Sequence, residues 1–156
     1  MSMSSTLRDY LESEVTTYDL VPHPETFTSM ETAAAAHVPG DKLAKSVVLG
    51  AEDEYVIAVI PSTHRLRLET LGAAFGHEFD MVNEDELSRL FKDCELGSVP
   101  ALGQAFGVHV AVDEALLELD EIYFESGDHS QLVHMSGQDF AALMAQAKRG
   151  HFGEHV

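Results

Sequence analysis

Ala44-Lys45-Ser46-Val47-Val48-Leu49 is a β-rich run with a lysine at its second position, and Tyr55-Val56-Ile57-Ala58-Val59-Ile60 is another, separated from the first by the acidic connection Gly50–Glu54. Two β-branched runs on either side of a short polar turn predict a hairpin, and their apolar character predicts interior strands. On the amino-terminal side, Leu7, Tyr10 and Leu11 recur at helical spacing in Ser4–Glu14, Val15–Val21 alternates like a strand, and Pro22-His23-Pro24 ends it. Thr28-Ser29 introduces an Ala-rich helix over Met30–His37, stopped by Pro39-Gly40, and Asp41-Lys42-Leu43 reads as one helical turn.

On the carboxyl side, Leu66, Leu68, Leu71 and Phe75 predict a helix, Glu78–Val82 a short strand, and Asn83 followed by Glu86 a capped helix over Glu84–Phe91. Gly97–Gly103 breaks the pattern. Val108–Val112, Glu121–Phe124 and Leu132–Met135 are strand candidates, and Ser136 caps a closing helix that runs to Ala147. Hairpins and helices without regular βαβα alternation predict a single α+β domain over residues 1–156 rather than a doubly wound sheet.

The whole chain supports that reading. Its 156 residues, 45% of them hydrophobic, suffice for one core, so intrinsic disorder is not expected. Nine Lys and Arg against 27 Asp and Glu give a net charge of −18. That balance excludes a basic nucleic-acid sleeve, and no DNA partner is expected. Lys42, Lys45, Arg65 and Arg67 hold four of the nine cations, whereas residues 93–147 contain no Lys or Arg, so a polyanion is expected on the 42–67 side. A single cysteine, Cys94, can form no internal disulfide, and no apolar run or leader pattern suggests a membrane or export, so a soluble, unprocessed, cytoplasmic protein is expected.

Several residues carry chemistry on paper. Lys45 begins a strand that reads as interior, where a cation is costly unless paired or opened to a pocket. It either snorkels to solvent from the strand end or presents an ammonium at a cleft mouth, donating to a carbonyl or phosphate. Ser46 beside it does not make a Ser–Lys dyad, because neighbouring strand residues point to opposite faces. The glycines and proline of Gly97-Ser98-Val99-Pro100-Ala101-Leu102-Gly103 suit either an ordinary turn or a loop that approaches a ligand, but match no phosphate-binding fingerprint. Asp128-His129 reads as turn chemistry or as an acid–base pair. The nine histidines show no metal-binding spacing, so neither metal nor cofactor is expected. Cys94, flanked by Asp93 and Glu95, lacks the electropositive setting of a reactive thiolate.

Taken in order, Val38–Leu49, Ala58–Leu68, the Gly97–Gly103 loop, Val112-Asp113-Glu114 and Ser126-Gly127-Asp128-His129 resemble the YbaK/prolyl-tRNA-synthetase-associated domain family of aminoacyl-tRNA deacylases, over about Pro24–Leu143. That span leaves 1–23 as an amino-terminal helix and strand extension and 148–156 as a short tail. The resemblance implies a mixed, strongly curved, barrel-like sheet with peripheral helices. It also implies a trans-editing deacylase that hydrolyses the ester of a mischarged tRNA. Lys45 would then be the catalytic residue, with Ser46, His64, Gly97, Pro100, Gly103, Gly127 and His129 binding substrate. The implied partner is the tRNA acceptor end, assisted by a synthetase or an elongation factor. Ser46 departs from the Asn or Thr that other members carry after the lysine, and Asp113 matches an acidic position. Two competing readings are a module that binds an aminoacyl or nucleotide ligand without turnover, and an unrelated small-ester hydrolase built on Asp128–His129.

Overall fold

The computed structural model describes residues 2–52 and 54–156. The elements run α1 (Ser5–Ser13), β1 (Asp19–Pro22), α2 (Ser29–Ala35), β2 (Leu43–Ala51), β3 (Glu54–Pro61), β4 (His64–Leu66), α3 (Leu68–Phe75), β5 (Asp80–Met81) and α4 (Glu84–Leu90). They continue with β6 (His109–Asp113), β7 (Glu121–Glu125), β8 (Gln131–Ser136), α5 (Gly137–Leu143), β9 (Lys148–Gly150) and β10 (Gly153–His155). Short 3-10 turns occupy Gly40–Lys42, Gly103–Phe106 and Glu114–Glu118.

Cap chemistry places four of the helix starts. Ser4, Thr28, Asn83 and Ser136 each accept a backbone N–H from the third residue onward, namely Leu7, Glu31, Glu86 and Asp139. Helix α5 ends at Leu143, four residues short of the expected end, because the Met144–Ala147 stretch turns to feed β9.

The expected hairpin is β2–β3, antiparallel from Ala44↔Pro61 to Ala51↔Glu54. It anchors an eight-stranded mixed sheet of order β1-β8-β7-β2-β3-β6-β9, with β5 paired to the far end of β2. The β2–β7, β3–β6 and β6–β9 pairs are parallel. Alternation in β3 divides the core. Ile57 and Val59 face one cluster with Val110, Val112, Ile122, Phe124, Leu7, Leu11 and Phe140. Val56, Ala58 and Ile60 face another with Ala111, Leu71 and Phe152. Side chains that alternate across a strand make this two-sided burial possible.

The sheet corrects one expectation. It is open, not a closed barrel: β1 and β9 are the two ends of the strand order and do not pair with each other. Both edges are short, one ending in Pro22 and the other carrying exposed Lys148 and Arg149, features that discourage further strand pairing. The amino and carboxyl segments are also part of the packing. Leu7 and Leu11 of α1 are fully buried. Residues 148–155 add β9 to the main sheet and pair β10 with β4 as a second, two-stranded sheet. Buried Asp113 holds this segment by accepting the backbone N–H groups of Phe152 (3.0 Å) and Gly153 (2.7 Å), besides that of Ala115 (2.9 Å).

Candidate functional site

Strand β2 has β3 along one side, but its other side is shared. β7 meets it only at Leu43↔Tyr123 and Ala44↔Phe124, and β5 only at Leu49↔Met81 and Gly50↔Asp80. Residues 45–48 lie between, with no partner strand on that edge among the described residues. A cavity of about 310 Å³ opens there, lined by residues 43–48 of β2, residues 26–29 and Thr32, Met81, Val82, Leu87, Gly97, Val99, Glu125 and His129. Its volume is at the lower end of the range of small-molecule sites.

Because the cavity opens at an edge, both faces of β2 reach it. Lys45 and Ser46 therefore border the same space although their side chains leave opposite faces of the strand. No hydrogen bond joins them, consistent with the absence of a Ser–Lys dyad. Lys45 is half-buried and, among the described residues, has no carboxylate within ion-pair distance. Burial pulls its pKa below the ordinary lysine value. Lys42, three residues earlier, is different: its ammonium bonds Asp120 and Glu121, both at 3.1 Å.

The two loops singled out in the sequence form one wall. Glu95 N–H donates to the Gly127 carbonyl (2.9 Å), Gly127 N–H to the Ser98 carbonyl (3.0 Å) and His129 N–H to Glu95 Oε2 (2.9 Å). Gly97 adopts φ +84°, and a Cβ there would stand 3.1 Å from His129 Cε1. Behind the wall sits α1. Ser4 N–H donates to the Ser126 carbonyl (2.9 Å), while Asp93 accepts from Ser4 Oγ, Ser5 Oγ and Thr6 N–H. Burial raises the Asp93 pKa, but these hydrogen bonds outweigh it and hold the carboxyl below its ordinary value.

The other residues named in the sequence stand elsewhere. Gly127 faces Ser4, where a Cβ would come within 2.7 Å of the Ser4 Cβ, so it lets α1 approach rather than lining the cavity. Pro100 is buried, and Gly103 packs against Ile57 and Val110 beneath the sheet, with 2.9 Å to each for an added Cβ. His64 lies on β4, its ring 5.4 Å from that of His155. Asp128 accepts from Ser130 N–H (2.8 Å) and Ser130 Oγ (2.7 Å), which is turn chemistry, and no hydrogen bond links it to the His129 ring. Cys94 lies outside the cavity lining, and burial followed by the Asp93 charge pushes its thiol up to about 12.

Glu125 is the residue that the sequence reading passed over. Continuing the β2–β7 register by one step sets it beside Lys45, at the point where the ladder ends. Its Oε2 is buried and has no hydrogen-bond partner among the described residues. Burial first, and the Asp128 charge second, push its pKa up to about 8. Its only signal in sequence was its place at the end of the alternating Glu121-Ile122-Tyr123-Phe124-Glu125, which resembles any strand with a solvated face. Phe27, 93% exposed, and Met81, 72% exposed, add apolar surface at the mouth. Among the described residues Lys45, Glu125 and His129 are the only ionisable side chains in the lining, and no group of three metal-ligating side chains is present. Nor is any helix among them long and apolar enough to cross a membrane.

A family model described as an aminoacyl-tRNA editing domain matches residues 23–143. No curated protein matches the chain. Among the solved structures similar to it, three are described as follows. One is described as a candidate trans-editing enzyme for prolyl-tRNA synthetase (TM-score 0.81, 23% identity, covering 98% of this chain and 99% of that one). Another is described only as a hypothetical protein (TM-score 0.84, 20% identity, 96% and 100%). The third is a candidate signal-transduction protein from Marinobacter aquaeolei (TM-score 0.77, 21% identity), of which the match covers 97% of this chain but 31% of that one. At these identities the likeness establishes the fold.

Proposed function

Since this chain belongs to the aminoacyl-tRNA editing domain family, we propose that it is a trans-editing deacylase, hydrolysing the ester between a wrong amino acid and the acceptor end of a tRNA. The observation that carries the reading is Lys45: an ammonium without a carboxylate partner, at the unpaired edge of β2, in a cavity closed by two mutually bonded loops. Its N–H groups donate to the ester carbonyl oxygen, or to the terminal phosphate, and stabilise the negative charge that develops when water attacks the carbonyl carbon. The C–O bond to the ribose then breaks, the ribose oxygen takes up a proton, and the free amino acid leaves. The unpaired edge of residues 45–48 offers backbone donors and acceptors for placing the aminoacyl group.

No side chain here serves as a covalent nucleophile in this reading. Ser46 has no base bonded to it, and the Cys94 thiol is held protonated outside the cavity. The net charge of −18 fits a contact confined to the acceptor end, assisted by a synthetase or an elongation factor in the cytoplasm. The test is a panel of mischarged tRNAs. Wild-type protein is expected to deacylate at least one, and Lys45→Ala to lower that rate about 10²-fold or more, as the loss of one oxyanion donor does. A panel left intact overturns the proposal. Saturable binding of aminoacyl-adenosine with the ester untouched would point instead to a non-catalytic module.

A further inference from the structure

Two ionisable groups of the cavity, an amine and a carboxyl, have no partner among the described residues. Lys45 comes from β2 and Glu125 from β7, each one residue past the last parallel pair, Ala44↔Phe124; both line the cavity, and they do not pair within 4.0 Å. Two such groups lining one space and left unjoined match a ligand that carries a hydrogen-bond acceptor and an amine a short distance apart. An aminoacyl ester is such a ligand, because its α-amine sits one carbon from the carbonyl.

We propose that Glu125 is the recognition group for the free α-amine of the aminoacyl moiety, so that the cavity accepts amino acid esters and rejects those whose nitrogen is acylated. The assignment rests on the editing reading and deepens it. With Lys45 donating to the carbonyl oxygen, Glu125 is the only carboxyl in the described lining that can receive the amine. Its carboxyl, which has no hydrogen-bond partner among the described residues, gains one.

The protonation states are compatible. Among the described residues, the other ionisable groups in the lining are Lys45 on β2 and His129 on the turn that follows β7, and from that turn the Asp128 charge acts on Glu125. Burial and the Asp128 charge push the carboxyl up to about 8, close to an α-amine at about 8. A neutral carboxyl that meets a neutral amine passes its proton to the nitrogen, giving carboxylate and ammonium with no proton drawn from solvent. If the amine arrives already protonated, the carboxyl releases its proton to water. The resulting ion pair is desolvated, where a charge-assisted hydrogen bond is strong. An N-acylated ester carries no basic nitrogen, and its amide cannot form that pair.

The test separates recognition from turnover. Non-hydrolysable 3′-aminoacylamido-3′-deoxyadenosines of several small amino acids, each beside its desamino counterpart, are titrated into the wild-type protein by calorimetry. At least one amine ligand is expected to bind about 10- to 100-fold more tightly than its desamino partner. Glu125→Gln, which keeps the shape of the side chain, is expected to close that gap. Equal affinities within every wild-type pair, the absence of amine-dependent binding across the set, or a gap that survives in Glu125→Gln overturns the assignment. A second arm compares deacylation of a free and an N-acetylated aminoacyl-tRNA. Amine-dependent binding without deacylation of any substrate defeats the editing reading alone. Deacylation of both tRNAs at equal rates defeats the Glu125 assignment alone.

Discussion

Gly97 and His129 close on each other at the wall of the cavity: a Cβ at position 97 would lie 3.1 Å from His129 Cε1, and the backbone there takes φ +84°. The left-handed backbone therefore favours a glycine, and an added Cβ would crowd the imidazole. Gly97→Ala is expected to destabilise the fold by about 1–2 kcal/mol through the left-handed backbone, and to displace the imidazole by a few tenths of an ångström. Thermal unfolding reads the first effect, and kcat/KM on the best substrate reads the second. A variant as stable as wild type would mean that the loop does not hold this geometry in solution.

The carboxyl-terminal strands hang on Asp113. Its buried carboxylate accepts three backbone N–H groups, two of them from Phe152 and Gly153. Asp113→Ala leaves those donors without a partner and is expected to cost about 3 kcal/mol or more. Asp113→Asn, which retains one acceptor oxygen, is expected to cost less. Urea unfolding gives the magnitudes. Limited proteolysis should cut near residues 148–156 first, and an uncut terminus in the alanine variant would contradict the assignment.

Glu125 makes stability fall as the pH rises. Its folded pKa, about 8, lies above the ordinary 4.5, so between these values the folded protein holds a proton that the unfolded chain has lost. The neutral carboxyl is tolerated below about 4.5. Stability declines from there and is fully lost from this source once the pH has passed through 8. Glu125→Gln removes the titration, so the variant and wild type should match at the acid end and diverge by a few kcal/mol in favour of the variant at pH 9. Denaturant midpoints measured across that range check the sign. A constant difference between the two proteins would place the ionisation elsewhere.

Phe27 is 93% exposed at the cavity mouth, so its ring contributes little to the core. An exposed aromatic face beside the proposed aminoacyl site suits a terminal base, and stacking of this kind is worth about 1–3 kcal/mol. Phe27→Ala is expected to raise KM about tenfold with the melting temperature unchanged. The same substitution should hardly affect an aminoacyl ester that lacks a base, and a parallel loss on that small ester would refute stacking.

Much of the architecture was legible because it is encoded locally. Ser4, Thr28, Asn83 and Ser136 satisfy N–H groups only three residues ahead, and the β2–β3 ladder closes through a short turn, so neighbouring residues sufficed to predict them. The strands of residues 148–155 were not legible. They are three residues each, with no periodicity to read, and depend on an aspartate some forty positions away. That the sheet does not close into a barrel was not legible for a related reason: whether β1 and β9 meet depends on the summed twist and register of the strands between them.

The candidate site divides along the same line. Lys45 stood out on its own strand because a cation in an apolar β-run conflicts with burial. The Gly97 and Gly127 loops stood out because glycine punctuates turns. Which of these residues face one another follows from parallel pairing between β2 and β7, near positions 44 and 124, and from hydrogen bonds between loops about thirty residues apart. Those contacts assemble Lys45, Gly97, His129 and Glu125 around one cavity and leave Pro100, Gly103 and His64 outside it. Composition, caps and alternation act over a few residues and so set the elements and the unusual lysine. The carboxyl that shares a cavity with that lysine was decided only when distant strands settled into register, since the energy of that pairing appears nowhere in either strand alone.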